Sequence, residues 1–558
     1  MKAVVVQAKI LKKERVKFVT GFPMNVLLEE LAKEDIRFIK FRTERVAVNV
    51  ADGLSRASFG DDIGVCVVQH GPGIENAFGG VAHAFADSVP ILVLPGGASR
   101  PEYGVVPDFK IKSCYREITK YVDSIDHADR TIEIMRRAYS QLRMGRPGPV
   151  VIELPLSVAN EEFEDRLFQY NPVKRVKTGG DPTDVKAVTK MLLAAKNPVI
   201  RAGQGILYAQ AWDELQEFAE LLTIPVYTTM NGKSGFRENH PLSLGCGART
   251  NTKASMAFAK KADVIFAIGS SCTNETFTSP IPAGKILIHS TVDERDINKS
   301  YEVNQAIIGD AKIVLRQLID EAKRQLGPAS KKDSAVVIEE IKILKDEFMK
   351  EWEPRLASDE IPINPYRVIR DLQKALDLKT TIVTHDSGNP RDQMVPMWEA
   401  ITPGGYIGWG KSTTLGQGMG LAMGAKLASP DKTCVWVGGD AAIGMVGMDF
   451  EAAARENIPI LAVILNNGVL GHYRDMFPVA SEKYGLNILS GDYVKVAEGL
   501  GAGFTATVTQ PDEIIPNVQK AVQSMASGKP ALINIITAED AVFPMYHQEW
   551  DVAVSHPT

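Results

Sequence analysis

The sequence predicts a multidomain α/β protein in which each domain is built on a parallel sheet covered by helices. Short apolar runs rich in β-branched residues alternate with segments of helical length: the runs at 16–20 and 63–69 are followed by helical segments at 24–34 and 74–86. This alternation is typical of parallel strands that are buried on both faces. At about 150 residues per domain, a chain of 558 residues holds three or four domains. Its 45% of hydrophobic residues is enough to form their cores.

Two changes in composition divide the chain. Residues 163–184 are polar and basic and predict a linker, after which the alternation resumes. A second break at 327–333 precedes a segment at 336–352 in which apolar residues recur every three or four positions, which indicates an amphipathic linker helix. The sequence therefore predicts three doubly wound parallel-sheet domains, spanning residues 1–165, 186–326 and 361–558.

Charge and composition argue against several classes of partner. The 68 acidic residues outnumber the 63 lysines and arginines, so the chain, with a net charge of −5, lacks the positive field that binds nucleic-acid backbones. No uncharged apolar run reaches the roughly 18 to 20 residues of a membrane span, and charged residues follow the N-terminus too soon for a signal peptide. Five widely spaced cysteines without a C-x-x-C motif fit reduced thiols. We therefore expect a cytoplasmic protein that binds neither nucleic acid nor membrane.

The most informative stretch is a Gly-Gly-Asp turn at 438–440, which follows an apolar run. An Asn-Asn pair at 466–467 ends the next apolar run, so that 27 positions separate Asp440 from Asn467. Because parallel strands end at the same edge of a sheet, the two turns are expected to meet there. Glycine lets a phosphate approach the backbone, and Asp440 and Asn467 offer the oxygen ligands that Mg²⁺ prefers. Taken singly, each turn is also explained as an ordinary structural turn.

Together, the two turns resemble the thiamine diphosphate (ThDP) motif of the superfamily that includes acetohydroxyacid synthases, 2-hydroxyacyl-CoA lyases and oxalyl-CoA decarboxylases. The resemblance implies a pyrimidine-binding first domain, a middle domain and a diphosphate-binding third domain. It also implies that Mg²⁺ binds the side chains of Asp440 and Asn467 and the carbonyl oxygen of Val469. The family usually has Gly where this chain has Ala441. The residues assigned to the cofactor by this motif are Gly439, Asp440, Ala441, Ala442, Asn467 and Leu470.

The first domain carries a second part of the resemblance. Glu44 precedes a segment with the family's A-x-G-x-x-R pattern, here from Ala51 to Arg56. By resemblance, Glu44 is the activator: it forms a hydrogen bond with the pyrimidine ring of ThDP and so promotes loss of the proton of the thiazolium carbon. The protein tunes the cofactor, and the cofactor supplies the carbanion. Without the motif of the third domain, a solvated glutamate beside Arg42 and Arg45 would be the preferred interpretation.

A Gln-His-Gly-Pro-Gly turn at 69–73 adds a third part. With Asn76 and the Asp-Ser-Val-Pro segment at 87–90, it resembles the family's G-P-G-x-x-N and D-S-x-P signatures, which implies that Gly71 and Asn76 bind the cofactor. Synthases of the family commonly have Thr-Ser directly before Gly-Pro-Gly, where this chain has Gln and His70. An imidazole, unlike a hydroxyl group, exchanges protons near neutral pH. We therefore expect His70 to take part in catalysis; a structural histidine is the alternative.

The third domain offers further matches. Gly388 and Asn389, in an Asp-Ser-Gly-Asn turn, are implied to contact the diphosphate. Leu415 precedes a glycine-rich segment and stands where many relatives have Met; its implied role is to hold ThDP in a V-shaped conformation. His472 follows the Asn-Asn pair and is the second candidate, with His70, for moving protons to and from the substrate.

The middle domain matches along several segments, which extends the resemblance over nearly the whole chain. This domain binds FAD in some members of the family, ADP or CoA in others, and nothing in many. Gly203 and Gly205 are a weak dinucleotide signal, because G-x-G without a later glycine is common in unrelated proteins. The sequence leaves FAD, ADP, CoA and no ligand open.

The substrate depends on the branch of the family, and here the sequence favours a lyase. Synthases carry a G-T-D-A-F-Q-E-like segment and a Gln-Trp pair, and residues 105–110 and 467–476 of this chain contain neither. The segments at 79–84 and 418–420, together with Ala441, are more similar to the acyl-CoA lyase branch. We expect a ThDP- and Mg²⁺-dependent carbon–carbon lyase or carboligase for a 2-hydroxyacyl or 2-oxoacyl substrate, similar to 2-hydroxyacyl-CoA lyase. Acetolactate synthase-like condensation of 2-oxo acids, a 2-oxo acid decarboxylase and an inactive ThDP-fold subunit are the alternatives.

The resemblance also implies an assembly and a covering segment. In the family, ThDP lies between the pyrimidine-binding domain of one subunit and the diphosphate-binding domain of another. Glu44 and Asp440 of one site are therefore expected to come from different chains of a homodimer or homotetramer. The segment at 538–550 follows the last predicted strand and is a candidate lid over the substrate, although it has no Lys or Arg to bind the phosphates of CoA.

Overall fold

Three parallel sheets of six strands each organise the chain. The structure is a computed structural model that describes residues 1–327 and 334–548. Residues 328–333 of the second predicted break, and residues 549–550 of the candidate lid, lie outside this described part. The predicted fold class, three doubly wound parallel-sheet units, is confirmed.

The first sheet is formed by the N-terminal part of the chain. Its strands are β1 (Phe18–Gly21), β2 (Arg37–Lys40), β3 (Gly64–Val68), β4 (Ile91–Gly97), β5 (Tyr121–Ser124) and β6 (Val150–Pro155). The helices of this part are α1 (Ala3–Lys13), α2 (Leu27–Lys33), α3 (Glu44–Ala57), α4 (Pro72–Ala86), α5 (Ile111–Tyr115), α6 (Thr131–Arg143) and α7 (Leu156–Ala159). The strand order is β2-β1-β3-β4-β6-β5.

The second sheet lies in the middle of the chain and has its own hydrophobic core. Its strands are β7 (Pro198–Ala202), β8 (Val226–Thr228), β9 (Ser243–Cys246), β10 (Val264–Ile268), β11 (Ile286–Thr291) and β12 (Gln305–Ile308). The helices are α8 (Pro182–Ala194), α9 (Gly205–Ala209), α10 (Trp212–Leu222), α11 (Lys253–Lys261) and α12 (Ala311–Leu326). The strand order is β12-β11-β10-β7-β8-β9, so the chain order reverses between β7 and β10.

A long helix, α13 (Ala335–Leu356), connects the second sheet to the third. It coincides with the amphipathic linker helix predicted at 336–352. The side chains of Ile341 and Phe348 on this helix are buried, and Val337 and Leu344 pack against the core of the second sheet.

The third sheet is formed by the C-terminal part of the chain. Its strands are β13 (Thr381–His385), β14 (Tyr406–Ile407), β15 (Thr433–Gly439), β16 (Ile460–Asn466), β17 (Phe504–Val508) and β18 (Ala531–Ile536). The helices are α14 (Pro365–Ala375), α15 (Asn389–Met397), α16 (Gln417–Ala428), α17 (Asp440–Val446), α18 (Phe450–Glu456), α19 (Tyr473–Met476), α20 (Pro478–Tyr484), α21 (Tyr493–Gly499) and α22 (Ile514–Ser524). The strand order is β14-β13-β15-β16-β18-β17.

The first and third sheets share one topology. If the strands of each sheet are counted from its start, both follow the order 2-1-3-4-6-5. The chain order therefore reverses between β1 and β3 in the first sheet and between β13 and β15 in the third. Open parallel sheets leave a crevice at the carboxyl edge where this reversal occurs, and ligands bind there.

Helices α3 and α16 join the first and third sheets along a seam of glycines. A Cβ atom on Gly53 would lie 2.4 Å from the carbonyl oxygen of Leu421, and one on Gly420 would lie 2.4 Å from the Cβ atom of Asn49. The two helices run in the same direction, because Gly420 faces Asn49 and Gly424 faces Leu54 one turn later. Their N-termini consequently lie at the same end of the seam.

No helix within residues 1–327 and 334–548 combines the length and apolar character that crossing a membrane requires.

Candidate active site

The turns that follow β15 and β16 meet at the carboxyl edge of the third sheet. Asp440 is the first residue of α17, and its side chain accepts hydrogen bonds from the backbone N–H groups of Ala441 (2.9 Å) and Gly468 (2.9 Å). The side-chain oxygen of Asn467 accepts from the N–H of Val469 at 3.1 Å. The structure therefore brings together the residues for which the sequence predicts a metal site.

The carboxylate of Asp440 is buried. The residue is only 4% exposed, and burial raises the pKa of its carboxyl group. Within the described ranges, no Lys, Arg or His side chain forms an ion pair with it. A divalent cation bound by Asp440 would balance this charge, and carboxylate, amide and carbonyl oxygens are ligands suited to Mg²⁺.

The neighbouring crevice has room for an anionic group. Gly388 precedes α15 with a φ of +82°, and no atom of the described residues lies within 4 Å of the position that a Cβ atom would take. In the part of the chain that the structure describes, no side chain caps the N-terminus of α15. Unpaired N–H groups at helix N-termini attract phosphate groups. Asn389 directly follows Gly388. The side-chain nitrogen of Asn389 lies 2.9 Å from the position that a Cβ atom on Gly471 would take, so Asn389 also reaches the loop after β16.

Glu44 is the first residue of α3. Thr43 caps this helix, and its side chain in turn donates to the carboxylate of Asp449 at 2.8 Å. Glu44 is 6% exposed and accepts a hydrogen bond from the side-chain nitrogen of Asn76 at 3.3 Å. The alternative of a solvated surface glutamate is thereby excluded. Asn76, predicted to bind the cofactor, orients the Glu44 carboxylate in this structure.

The seam places Glu44 close to the predicted support of the cofactor. The guanidinium group of Arg45 donates to the carbonyl oxygen of Leu415, which precedes α16. A Cβ atom on Gly416, the next residue, would lie 2.7 Å from the side chain of Val446 and 3.3 Å from the carbonyl oxygen of Ala442. Contacts within one chain thus run from the start of α3 through the Leu415 loop to α17.

The prediction of a site shared between chains stays a prediction. In a single chain, α3 and α16 already bring Glu44 and Leu415 into one region. Two copies that exchange domains can make the same contact between chains.

His70 and His472 lie in different surroundings. His70 follows β3, and its Nε2 atom lies 3.7 Å from a carboxylate oxygen of Asp108, whereas its Nδ1 atom is buried without a hydrogen-bond partner among the described residues. His472 has a φ of +65° and precedes α19; its backbone N–H donates to Glu539 at 3.0 Å, and its ring packs against Phe543. Residues 539 and 543 belong to the candidate lid, which therefore reaches His472.

The remaining predicted residues lie near these turns. Gly71 precedes α4 with a φ of +67° and open space at its Cβ position. The backbone N–H of Leu470 donates to the carbonyl oxygen of Asn487 at 2.7 Å. Gly439 immediately precedes α17 and has no close contact at its Cβ position, since the nearest atom is 3.9 Å away.

Sequence reasoning missed the carboxylates that shape the loops. Asp386, in the turn expected to contact the diphosphate, instead accepts from the N–H groups of Gly416 (2.8 Å) and Gly418 (3.0 Å) and from the indole N–H of Trp436 (3.0 Å). Burial raises its pKa to about 6. Asp449 holds the start of α3 in the same way. These carboxylates fix a loop and a helix start, and their partners lie 30 to 407 positions away, so no local sequence pattern could have indicated this.

A cavity of about 490 Å³ opens at the carboxyl edge of the second sheet. Gly205 and Gly269, which follow the strands where the chain order reverses, line it together with helix and loop residues from the first and third parts of the chain, among them Arg143, Arg146 and Lys411. If β7 is counted as strand 1 and the second sheet is read from β9 to β12, its strand order is 3-2-1-4-5-6. This is the strand order of dinucleotide-binding domains. The cationic residues that line the cavity are Arg143, Arg146, Arg175, Lys177, Arg201 and Lys411.

Models of the thiamine pyrophosphate enzymes match this chain in three parts; thiamine pyrophosphate is another name for ThDP. The N-terminal TPP binding domain matches residues 1–126, the central domain residues 185–318 and the C-terminal TPP binding domain residues 386–535. The chain therefore belongs to the thiamine pyrophosphate enzyme family, as the motifs predict, and it is a ThDP-dependent enzyme.

Its relatives include enzymes that form carbon–carbon bonds. The chain is 32% identical to the probable acetolactate synthase large subunit of Methanocaldococcus jannaschii, over 96% of this chain and 92% of that protein. It is 28% identical to the acetolactate synthase isozyme 3 large subunit of Escherichia coli, over 95% and 94% of the two chains. It is also 28% identical to the glyoxylate carboligase of Escherichia coli O157:H7, over 96% and 93%. These relatives support the synthase alternative better than the acyl-CoA lyase that the sequence favoured.

Proposed function

We propose that this enzyme is a Mg²⁺-dependent carboligase that condenses two 2-oxo acids, in the manner of an acetolactate synthase. The observation that carries the proposal is similarity to acetolactate synthase large subunits over 92% or more of this chain and 89% or more of the relatives. The site is compatible with this chemistry. The contacts that run from the start of α3 through the Leu415 loop to α17 connect the proposed activating carboxylate, Glu44, with the crevice proposed to bind the diphosphate.

Two of the three features that favoured the acyl-CoA lyase, the segments at 79–84 and 418–420, contain residues that serve the packing of this fold. Gly418 and Gly420 are required by close contacts, since their Cβ atoms would lie 2.4 Å from the carbonyl oxygen of His385 and from Asn49. His83, in the segment at 79–84, is fully buried, and its Nε2 atom lies 3.6 Å from the Asp87 carboxylate. These residues therefore carry no information about the substrate.

Each part of the site has a proposed role. ThDP, when bound, supplies a carbanion that adds to a carbonyl carbon. Asp440, Asn467 and the carbonyl oxygen of Val469 would hold the Mg²⁺ ion that binds the diphosphate. Glu44 would form a hydrogen bond with the pyrimidine ring and hold its proton, with Asn76 fixing the carboxylate. Leu415 would support the bent cofactor, and the residues expected to contact the diphosphate or line its crevice are Gly71, Gly388, Asn389, Gly439, Ala441, Ala442 and Leu470.

A product assay tests the proposed reaction. Two pyruvate anions and one proton should give one acetolactate anion and one CO₂ when the protein is supplied with ThDP and Mg²⁺. Separate parallel reactions contain glyoxylate or a 2-hydroxyacyl-CoA in place of pyruvate. Cleavage of the acyl-CoA without acetolactate formation would show that the enzyme is an acyl-CoA lyase and not a synthase. Release of CO₂ from pyruvate without a condensation product would show that it is a decarboxylase.

His70 is proposed to move protons at the substrate. Its partly exposed ring faces Asp108, so its Nε2 atom is oriented while the ring stays accessible. General acid–base catalysis contributes about 10²- to 10⁴-fold, so we expect His70→Ala to lower kcat by at least about 100-fold. Initial rates with the substrate found above measure this effect. An unchanged kcat would remove His70 from catalysis, and His127→Ala, at an exposed position of the same part of the chain, is the matched control.

The middle part of the chain is proposed to bind a nucleotide with a diphosphate, such as FAD or ADP. The reversal of chain order beside β7 and the cationic lining of the 490 Å³ cavity support this proposal. Mass spectrometry of the native protein, which preserves non-covalent ligands, identifies any nucleotide that it retains. Saturation with added FAD, ADP and CoA, followed by the same measurement, distinguishes the three.

We also propose that the active enzyme is a homodimer or homotetramer with sites shared between chains. Co-expression of Glu44→Gln and Asp440→Asn chains tests this directly. If Glu44 and Asp440 of a site come from two chains, half of randomly assorted dimers hold one intact site of two. Activity should then recover to about one quarter of the wild-type value. If both residues come from one chain, every mixed dimer lacks an intact site and the activity does not recover.

A further inference from the structure

Lys411 differs from the other cations that line the cavity of the second sheet. Arg143, Arg146, Arg175 and Lys177 each form an ion pair, and Arg201 donates to a carbonyl oxygen. The Nζ atom of Lys411 donates only to the hydroxyl group of Ser271, at 3.1 Å, and among the described residues no carboxylate lies within ion-pair distance of it. Lys411 therefore lines the cavity without an ion pair, and the carboxylates of Asp87 and Asp296 act on its charge only from beyond ion-pair distance.

Burial and the positive charge of Arg146 lower the pKa of Lys411 to about 8. Arg146 belongs to the first part of the chain and is fixed by Ser88 (2.8 Å) and Asp296 (2.7 Å). Two cations from different parts of the chain thus face the same end of the cavity. An anionic group of a ligand placed there would satisfy Lys411 and relieve the repulsion between the two cations.

Lys411 also stands at the start of the loop that carries Leu415. The backbone N–H groups of Gly410 and Lys411 donate to the carboxylate of Asp87, at 3.4 and 3.3 Å. Four residues beyond Lys411, Leu415 is followed by Gly416, whose N–H is held by Asp386. The loop is therefore fixed at both ends, and its first end is also in contact with the cavity.

The start of this loop touches the second sheet closely. A Cβ atom on Gly408 would lie 1.9 Å from the carbonyl oxygen of Met230, and one on Gly410 would lie 2.7 Å from the Met230 methyl group. Met230 lines the cavity as well. A ligand that contacts Met230 and Lys411 is thereby in contact with the backbone segment that leads to the cofactor.

We propose that Lys411 is a positioning residue that couples the cavity to the ThDP site: an anionic ligand bound at Lys411 adds a further contact to the first end of the 410–416 loop and so strengthens ThDP binding. This inference rests on the proposed nucleotide site. Coupling between two sites is reciprocal, so ThDP strengthens binding of the cavity ligand by the same factor. In this role, Lys411 acts on ThDP through the loop and not by direct contact.

Paired titrations of the full-length protein with Mg²⁺ test the coupling. The probe is ADP, and FAD is used in a second arm because it carries the same diphosphate group. Isothermal calorimetry gives the Kd of ThDP with and without saturating ADP. For the wild type, we expect the Kd to fall at least about 5-fold when ADP is present.

Three variants separate coupling from binding. Lys411→Met should weaken ADP binding about 10-fold and abolish the effect of ADP on ThDP at a saturating ADP concentration. Lys411→Arg should restore the effect. Lys177→Met removes a cation that lines the same cavity but lies outside the 410–416 loop. It should weaken ADP binding and leave the effect of saturating ADP on the Kd of ThDP unchanged.

The outcomes that overturn the inference are distinct. If ADP binds and Lys411→Met retains the full effect on the Kd of ThDP, the coupling role is wrong while the nucleotide site stands. If neither ADP nor FAD binds the wild type, both the nucleotide site and the coupling are wrong. The acetolactate assay is independent of these results.

Discussion

Replacing Glu44 with Gln is expected to slow exchange of the thiazolium proton of bound ThDP by about 10²- to 10⁴-fold, the range of general acid–base catalysis. Glutamine keeps the size and one acceptor of the side chain but cannot hold a negative charge opposite the pyrimidine ring. The rate of exchange into D₂O, followed by NMR after acid quench, requires no knowledge of the substrate. The kcat for acetolactate formation should fall in parallel.

A matched control removes the same charge elsewhere. Glu29 lies in the first turn of α2, is exposed, and is part of the same N-terminal region. Glu29→Gln should leave the exchange rate unchanged. Calorimetry should show ThDP binding to the Glu44→Gln protein within a few-fold of wild type, because the diphosphate crevice is intact. Wild-type exchange in the Glu44→Gln protein would contradict the activating role.

Replacing Asp440 with Asn should weaken Mg²⁺-dependent ThDP binding by at least about 10- to 100-fold. Changes to residues outside the direct ligands of a metal already cost about that much affinity, and Asp440 is the only carboxylate among the three proposed ligands. Asp440 accepts from the N–H of Ala441 through Oδ1 and from the N–H of Gly468 through Oδ2, so the single amide oxygen of Asn keeps one of these two hydrogen bonds. Calorimetric titration of ThDP at several Mg²⁺ concentrations measures the loss.

Asp431→Asn is the control for this change, because Asp431 is an exposed carboxylate that lies close in sequence, just before β15. It should bind ThDP as the wild type does. If Asp440→Asn keeps both its ThDP affinity and its dependence on Mg²⁺, the metal is bound by other residues. A thermal unfolding midpoint close to that of the wild type would show that the loss is local.

The sequence was sufficient for the fold class and for the largest motifs. Strands such as β3 and β15 are buried on both faces, so their apolar runs are continuous and their positions are easy to predict. Helix α1 was missed, because Ala-Val-Val-Val resembles a strand. It is a helix in which Ala3, Val6 and Ile10, spaced by three and four residues, are buried together.

The partners of the site residues could not be predicted from the sequence. The contact between Thr43 and Asp449 joins residues 406 positions apart, and no local pattern contains such information. His83 lies in the segment at 79–84, which the sequence analysis interpreted as similar to the acyl-CoA lyase branch. In the structure its partners are Arg56 and Asp87, so it is part of a buried ion cluster. Composition and spacing identify candidate groups, whereas the roles of these groups depend on which distant residues surround them.

The glycine seam between α3 and α16 has a consequence for how this enzyme tolerates change. Backbone atoms meet directly at Gly53 and Gly424, so no flexible side chain separates the two helices there. A larger residue at either position must move one helix as a rigid body, and Glu44 and Leu415 lie at the ends that would move. The distance between Glu44 and Leu415 is thus set by contact between two backbones, and we expect it to stay constant when residues elsewhere in the core vary.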